Sequence, residues 1–218
     1  DEFFTTQEKV VQWGVTPALP SEHPEHIANW IAAGRHGELT FMENHLALRQ
    51  DPRQFFPQAK TAILFLHAYP EPILSEQSHL DVHISAYARG RDYHHTMKGL
   101  LRELAERLNN EDPTVETKAF VDSAPVNERE LAIKAGLGWL GKNSSLIHPK
   151  LGSQFFIGGF FINKTIEKEA RTYPDGCAAC RKCIDACPTA ALDTSRSIDA
   201  RNCISYLTIE KKGDIDPE

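Results

Sequence analysis

Four cysteines stand close together near the end of the chain, in the pattern C-x2-C-x2-C-x3-C followed by proline. They are Cys177, Cys180, Cys183 and Cys187. Thiolates are the ligands that iron–sulfur clusters need, and this spacing is the bacterial ferredoxin pattern for a 4Fe–4S cluster. A zinc site and a group of disulfides are the alternatives, although four cysteines this close are unusual for zinc. The pattern predicts iron–sulfur ligation.

The number of cysteines leaves the ligand sets incomplete. The chain has 5 cysteines, and the fifth is Cys203. In two-cluster ferredoxins the fourth cysteine of such a run serves the other cluster, and each cluster needs four ligands. The first three cysteines then lack one partner, whereas Cys187 and Cys203 lack two, and we expect the missing ligands beyond the end of the chain. The alternative is one cluster held by the run itself, with Cys203 a buried thiol.

A second constellation surrounds Asp122, which follows a predicted strand and precedes the glycine-rich loop GLGWLG at 136–141. A carboxylate at a strand end beside such a loop is a common site geometry, and glycines let the backbone approach a planar ligand or phosphate. The loop follows a helix, so it is not a dinucleotide fingerprint, and it could simply be a turn. Asp122 could equally be a helix cap or loop anchor, and Asp92 in GRDYHH reads as a cap followed by two solvated histidines.

Composition bounds the class of protein. With 218 residues, 41% of them hydrophobic, the chain can form one large domain plus a small one. No apolar run approaches the length of a transmembrane helix, so no membrane partner is expected. Reduced cysteines in a cluster motif favour a cytoplasmic location. The net charge of −6 argues against a broadly basic nucleic-acid-binding surface but leaves a local basic patch open.

Helices and strands alternate up to about residue 165, which predicts an α/β or α+β domain over 1–165 and a small helical domain over 166–218. Hydrophobic periodicity and capping residues predict helices starting near Thr5 and spanning 25–33, 92–109 and 127–135, with a last helix from Asp199. Predicted strands span 61–66, 82–87, 115–121 and 154–162. The last of these carries the pair Gly158-Gly159, where a backbone or ligand could approach closely.

Four segments together resemble one family, the epoxyqueuosine reductases. They are VDSAPVNERELAIKAGLGWLGKNSSLI (121–147), GRDYHH (90–95), CAACRKCIDACPTAAL (177–192) and ARNCISYLTIE (200–210). The resemblance covers nearly the whole chain but not the C-terminal helical repeats that members usually carry. It implies a tRNA-modifying enzyme that reduces an epoxide on the wobble-position base to an alkene. The family uses cobalamin and two 4Fe–4S clusters and is related to reductive dehalogenases.

The resemblance also implies roles for particular residues. Cys177, Cys180 and Cys183 would bind the first cluster, and Cys187 and Cys203 the second. Asp122 matches the proton donor, and we expect it to lie partly desolvated against the corrin. The corrin pocket is expected to include Tyr87, Gly141, Lys142, Asn143, Ser144, Ser153, Phe155 and Phe156, with His45 and Arg49 contributing.

The expected partners follow from the same family. tRNA would contact Arg181, Lys182, Arg201 and Tyr206, through phosphate contacts or base stacking. A flavodoxin or ferredoxin system would supply electrons, and the protein would be a monomer. Any of these pocket or tRNA residues could instead pack in the core or face water. Two other functions stay open: a ferredoxin-like electron carrier and a cobalamin-dependent reductase of a small molecule.

Overall fold

The protein is built around an antiparallel sheet. The computed structural model describes residues 10–69, 85–169 and 171–215. Its strands are β1 (Val10–Pro17), β2 (Thr61–Ala68), β3 (Thr117–Val121) and β6 (Phe155–Ile162), and a separate hairpin pairs β4 (Trp139–Leu140) with β5 (Leu146–Ile147). The four strands of the sheet have the order β1-β2-β6-β3, and all three pairings are antiparallel. This confirms the predicted mixed fold, in its α+β form.

Seven short or medium helices surround the sheet in the described part of the chain. They are α1 (Pro24–Ala32), α2 (Thr40–Asn44), α3 (Leu46–Gln50), α4 (Pro52–Phe55), α5 (Tyr93–Glu111), α6 (Glu128–Lys134) and α7 (Lys182–Asp185). The predicted cap of α5 is confirmed, because the Asp92 carboxylate accepts the His94 N–H at 2.9 Å. The helices over 40–55 and strand β1 were not predicted.

Both faces of the sheet are buried, which explains the continuous apolar runs in β2 and β6. On one face α5 packs through Met97, Leu101 and Leu104. On the other, α6 packs through Leu131 and Ala132. The two cores are therefore a helix–sheet–helix sandwich, and the central strands are held rigidly between them.

Two predicted elements differ in the structure. The described end of the predicted strand at 82–87 is a 3-10 turn, Ala86–Ala88, while 82–84 and the helix start near Thr5 lie outside the described residues. The last helix is broken in two: a 3-10 turn over Ala200–Asn202 is capped by Asp199, and a π-helical turn spans Tyr206–Glu210. The break lies at Cys203, whose backbone is extended at φ −80° and ψ 122°.

Residues 177–203, which carry the five cysteines and are called the cysteine segment below, contact the first part of the chain through polar bonds. The Trp30 indole donates to the Ile198 carbonyl at 2.6 Å, and the Arg35 guanidinium contacts the Asp193 carboxylate at 2.8 Å. A division at about residue 165 stays a prediction. Within the described residues, no helix combines the length and apolar character needed to cross a membrane.

Candidate active site and cysteine segment

An open cavity of about 400 Å³ lies at the edge of the sheet where β2 and β3 end and β6 begins. Its lining includes six of the residues predicted for the cofactor pocket. They are Tyr87, Asp122, Ser144, Ser153, Phe155 and Phe156. Asp122 and Ser144 both have positive φ, 28° and 62°, which is strained for residues other than glycine and is common at functional sites.

One wall of the cavity is aromatic. The Phe156 and Tyr93 rings stack with centroids 4.2 Å apart and planes 6° apart, and Tyr69 lies 4.5 Å from Phe156. Tyr93 also stacks on His94 at 4.1 Å. Sequence reasoning did not assign Tyr69 and Tyr93 to the pocket, although Tyr93 stands in the quoted GRDYHH segment. The wall offers a flat apolar surface with hydroxyl groups at its rim.

Asp122 stands at the mouth of the cavity and is held by two side chains. Its Oδ2 accepts the Tyr93 hydroxyl at 2.7 Å and lies 3.3 Å from His94 Nε2. Burial raises the pKa of Tyr93, and the bond to Asp122 raises it further, so the phenol stays a neutral donor. The Asp122 side chain is 57% exposed. Partial desolvation of Asp122 against a corrin therefore stays a prediction, because among the described residues the carboxylate is largely exposed.

Charged groups that the sequence did not assign lie beside Asp122. Glu128 and Arg129, at the start of α6, line the cavity, and the Arg129 guanidinium donates to the Ser144 carbonyl. Burial raises the pKa of Glu128. Arg49, predicted for the pocket, does not line it: its Nη1 donates to the Val126 carbonyl at 3.4 Å, and burial lowers its pKa. The buried Arg49 Nε has no hydrogen-bond partner among the described residues.

Four other residues predicted for the pocket are also placed elsewhere. The Lys142 ammonium donates to the carbonyls of Ala178 and Cys180, at 2.7 and 2.9 Å, so it contacts the cysteine segment instead. Asn143 accepts the Ser145 N–H and shapes its own turn, and Gly141 lies against Asn143. His45 joins α2 to α3 and is not among the cavity-lining residues. The Lys142 and Asn143 side chains point away from the cavity, and the sequence does not specify their direction.

The five cysteines are free thiols. Ligand sulfurs around a tetrahedral zinc stand about 3.8 Å apart, from Zn–S bonds of about 2.3 Å. Among the described residues the sole trio of ligand atoms within 4.8 Å is His23, Glu25 and His26, so no three thiols stand at zinc-site spacing. The Thr189 hydroxyl lowers the pKa of Cys187, and backbone N–H groups from 189–192 add to this effect. These bonds favour the thiolate that a cluster requires.

An unpartnered donor beside the first cysteine supports the same assignment. The buried Trp139 indole N–H has no hydrogen-bond partner among the described residues. Its ring lies against Gly176, where a Cβ would fall 2.3 Å from a ring carbon. A buried N–H without a partner among the described residues leaves room for a further acceptor, and cluster sulfur next to Cys177 would be one. The residues present therefore fit an iron–sulfur cluster.

The residues predicted to contact tRNA differ in availability. Arg181 and Lys182 are exposed, and Arg181 pairs with Asp185 at 3.3 Å. Arg201 is exposed and pairs with Asp199. Tyr206 is 7% exposed, so the prediction that it stacks on a base is wrong. Its hydroxyl instead accepts the Glu38 N–H at 2.9 Å, inside the protein.

A cavity and a cluster-type cysteine segment in one chain indicate an iron–sulfur protein with a separate binding site, and its similarity to known proteins identifies the family. Residues 49–123 match the family model described as epoxyqueuosine reductase QueG, DUF1730, and 176–218 match a 4Fe-4S double cluster binding domain. The epoxyqueuosine reductase of Pseudomonas aeruginosa is 39% identical over 208 residues, covering 94% of this chain and 58% of that protein. The Cellulophaga algicola enzyme is 41% identical over 198 residues, covering 90% and 63%.

Solved structures agree. Epoxyqueuosine reductase from Streptococcus thermophilus superposes with a TM-score of 0.83 at 27% identity, over 96% of this chain and 56% of that one. The Bacillus subtilis enzyme, at 24% identity and a TM-score of 0.77, shares the fold. The chain belongs to the epoxyqueuosine reductase family. It spans about 60% of the length of the curated relatives it matches.

Proposed function

We propose that this chain forms the catalytic part of an enzyme that reduces epoxyqueuosine to queuosine at the wobble position of tRNA. The observation that supports it most is Asp122, held by Tyr93 at the mouth of a cavity, in a chain of this family. A solved epoxyqueuosine reductase with the same fold was crystallised with a tRNA-Tyr stem loop that carries epoxyqueuosine. For this chain, a tRNA substrate remains part of the proposal.

The reaction needs both electrons and protons. Converting an epoxide to an alkene breaks two C–O bonds and releases the oxygen as water, which consumes two electrons and two protons. We infer that 4Fe–4S clusters deliver the electrons one at a time, with Cys177, Cys180 and Cys183 on one cluster and Cys187 and Cys203 on the other. An external flavodoxin or ferredoxin system would reduce them.

We infer that cobalamin is the group that receives these electrons, with its corrin at the open cavity. The stacked Tyr93 and Phe156 offer a flat apolar wall, while Ser144 and Ser153 supply polar groups at the lining. When bound, cobalamin supplies low-potential cobalt chemistry at the epoxide. The protein's part is to hold the ligand between this wall and the 144–146 loop, and to keep Asp122 at the mouth.

Asp122 acts as the general acid in this proposal. Its carboxyl group protonates the oxygen that leaves as the epoxide opens, a role that typically accelerates a reaction by about 10²–10⁴-fold. Tyr93 fixes the orientation of the carboxyl group through its 2.7 Å bond. Bound cobalamin and tRNA would cover Asp122 and so supply the desolvation that raises the pKa of a carboxylic acid. Arg181, Lys182 and Arg201 are the exposed cations proposed to contact tRNA phosphates.

The first test is an anaerobic cobalamin titration followed by visible spectroscopy, with iron measured on the same sample. Saturable binding supports the cavity assignment. The second test incubates the protein with cobalamin, a low-potential reductant and tRNA carrying epoxyqueuosine, and measures loss of one oxygen by nucleoside mass spectrometry. Asp122→Asn should slow this conversion about 10²–10⁴-fold, whereas the exposed control Asp214→Asn should not.

Each outcome separates one part of the proposal. Full turnover by Asp122→Asn would remove the general-acid role. A wild-type protein that binds cobalamin and contains iron but never converts the tRNA would contradict the substrate assignment and favour a small-molecule reductase. Iron without cobalamin binding would favour an electron carrier.

A further inference from the structure

The His94 imidazole lies between two carboxylates. Its Nδ1 is 2.9 Å from Asp92 Oδ1, and its Nε2 is 3.3 Å from Asp122 Oδ2. The Tyr93 hydroxyl donates to the same Asp122 oxygen at 2.7 Å. An ionised carboxylate only accepts hydrogen bonds, so each ring nitrogen of His94 faces an acceptor.

For both ring nitrogens to donate hydrogen bonds, this arrangement needs one more proton than a neutral imidazole and two ionised carboxylates carry. A neutral imidazole has a single N–H, and its other nitrogen is an acceptor. With two ionised carboxylates, that nitrogen would direct a lone pair at a negative oxygen. All the contacts are satisfied only if the imidazole carries both protons, or if one carboxylate is protonated.

Asp92 is not the group that holds the extra proton. The His94 backbone N–H lowers the pKa of Asp92, with the His94 ring adding to the effect, and His95 Nδ1 lies 3.2 Å from its other oxygen. The proton therefore lies between His94 and Asp122, at the mouth of the cavity.

We propose that His94 is a positioning residue that stores a proton and passes it to Asp122, an inference that rests on the function proposed above. The His94 Nε2–H bond breaks as an Asp122 O–H bond forms, which leaves a neutral imidazole. The leaving oxygen then takes this proton, and the Asp122 O–H bond breaks to give the carboxylate again. That ring is 31% exposed and takes its next proton from solvent. Two proton deliveries meet the two protons that each epoxide consumes.

Several titratable and charged groups face the His94–Asp122 pair. Tyr93 stacks on the His94 ring, and Asp92 and His95 lie on its outer side. Around Asp122, the charged neighbours are Glu128 and Arg129, which line the cavity, and Arg49, which does not. Tyr69 and Tyr87 also lie near Asp122.

The proton can be observed without substrate or cofactor. In ¹⁵N-labelled protein at neutral pH, His94, assigned by its loss in His94→Gln, should show both ring nitrogens protonated. Asp122→Asn should leave one, on Nδ1, because an amide can donate to Nε2. His95→Gln is the matched control: His95 is 88% exposed and, among the described residues, contacts Asp92 and not Asp122, so the His94 signals should not change. A neutral His94 ring in the wild type, with or without an infrared carboxylic-acid band that Asp122→Asn removes, would overturn the proposal.

Turnover gives the second readout. His94→Gln should slow epoxide reduction about tenfold or more with an unchanged KM for tRNA, added imidazole should restore part of the rate, and His95→Gln should match the wild type. A wild-type rate in His94→Gln would also overturn the proposal. The two proposals can fail separately: a doubly protonated ring without tRNA conversion contradicts only the proposed function, and conversion with a neutral ring contradicts only the proton store.

Discussion

The pair Gly158-Gly159 in β6 separates two kinds of close packing, and alanine substitution should distinguish them. A Cβ at Gly159 would lie 2.3 Å from the Ile63 backbone oxygen, whereas a Cβ at Gly158 would lie 2.6 Å from the terminal methyl of Met97. The Ile63 carbonyl belongs to β2 and cannot move without distorting the β2–β6 pairing. The Met97 methyl is the end of a flexible side chain and can move aside.

These contacts set the expected magnitudes. Overpacking costs about 1–3 kcal/mol or more, and alanine regains about 0.5–1 kcal/mol over glycine in a strand. Gly158→Ala should therefore destabilise by about 1 kcal/mol. Gly159→Ala adds weakened ladder bonds at about 1 kcal/mol each and should cost about 3 kcal/mol. At about 2–4 °C per kcal/mol for a chain of this size, Tm should fall by about 6–12 °C for Gly159→Ala.

Urea unfolding followed by circular dichroism measures both costs. Met97→Leu shortens the side chain, so combining it with Gly158→Ala should cost less than the sum of the two single changes. The same combination with Gly159→Ala should be additive, because the carbonyl remains. Equal costs at the two glycines, or no coupling between Gly158→Ala and Met97→Leu, would refute the assignment of these contacts.

Three further predictions concern stability. Burial alone would raise the pKa of Glu130, but hydrogen bonds, among them one from Lys134, outweigh burial and lower the pKa. The ionised Glu130 therefore stabilises the fold above its unfolded pKa, and this contribution is lost as the pH falls through the lower folded pKa. Glu130→Gln should cost about 1 kcal/mol at pH 7 and progressively less in acid, measured by urea midpoints across pH. Burial lowers the pKa of His148, whose Nδ1 accepts backbone N–H groups, so its contribution is lost as pH falls through about 6.5. His148→Asn should flatten that dependence, and an unchanged pH profile would contradict it. Trp30→Phe removes the bond to Ile198 at a cost of about 1 kcal/mol, seen as faster limited proteolysis of the cysteine segment than in wild type.

The sequence predicted the helices and strands whose caps and hydrophobic patterns lie within a single segment of the chain. The Asp92 cap and the leucine spacing after it were enough for α5, and apolar runs were enough for β2 and β6. Strand β1 was missed because it contains Gly14 and ends at Pro17, which weaken a strand pattern. It forms because it pairs with β2, and Gly14 lets the Ala135 backbone approach, a contact 121 residues away in the chain.

The site follows the same division. Family motifs located Asp122 and five other cavity residues, but not the partners that reach Asp122 through folding. Tyr93 is 29 residues from Asp122, and its hydroxyl meets the carboxylate only once α5 packs on the sheet. Tyr206 looked like an exposed aromatic residue near the cysteines. It is buried because Gly37, at φ 59°, leaves no side chain between them.

The loop between β4 and β5 contacts both the cavity and the cysteine segment. Ser144 lines the cavity, and its hydroxyl donates to the Arg196 carbonyl at 2.9 Å. Lys142, two residues earlier, binds the Cys180 carbonyl. The Arg196 guanidinium in turn bridges the Leu140 carbonyl and the Asp175 carboxylate. One short loop therefore touches both the proposed cofactor cavity and the proposed cluster ligands. These bonds hold the loop against the cysteine segment. Lys142 thus contacts the cysteine segment, whereas the family resemblance had led us to expect it against the corrin.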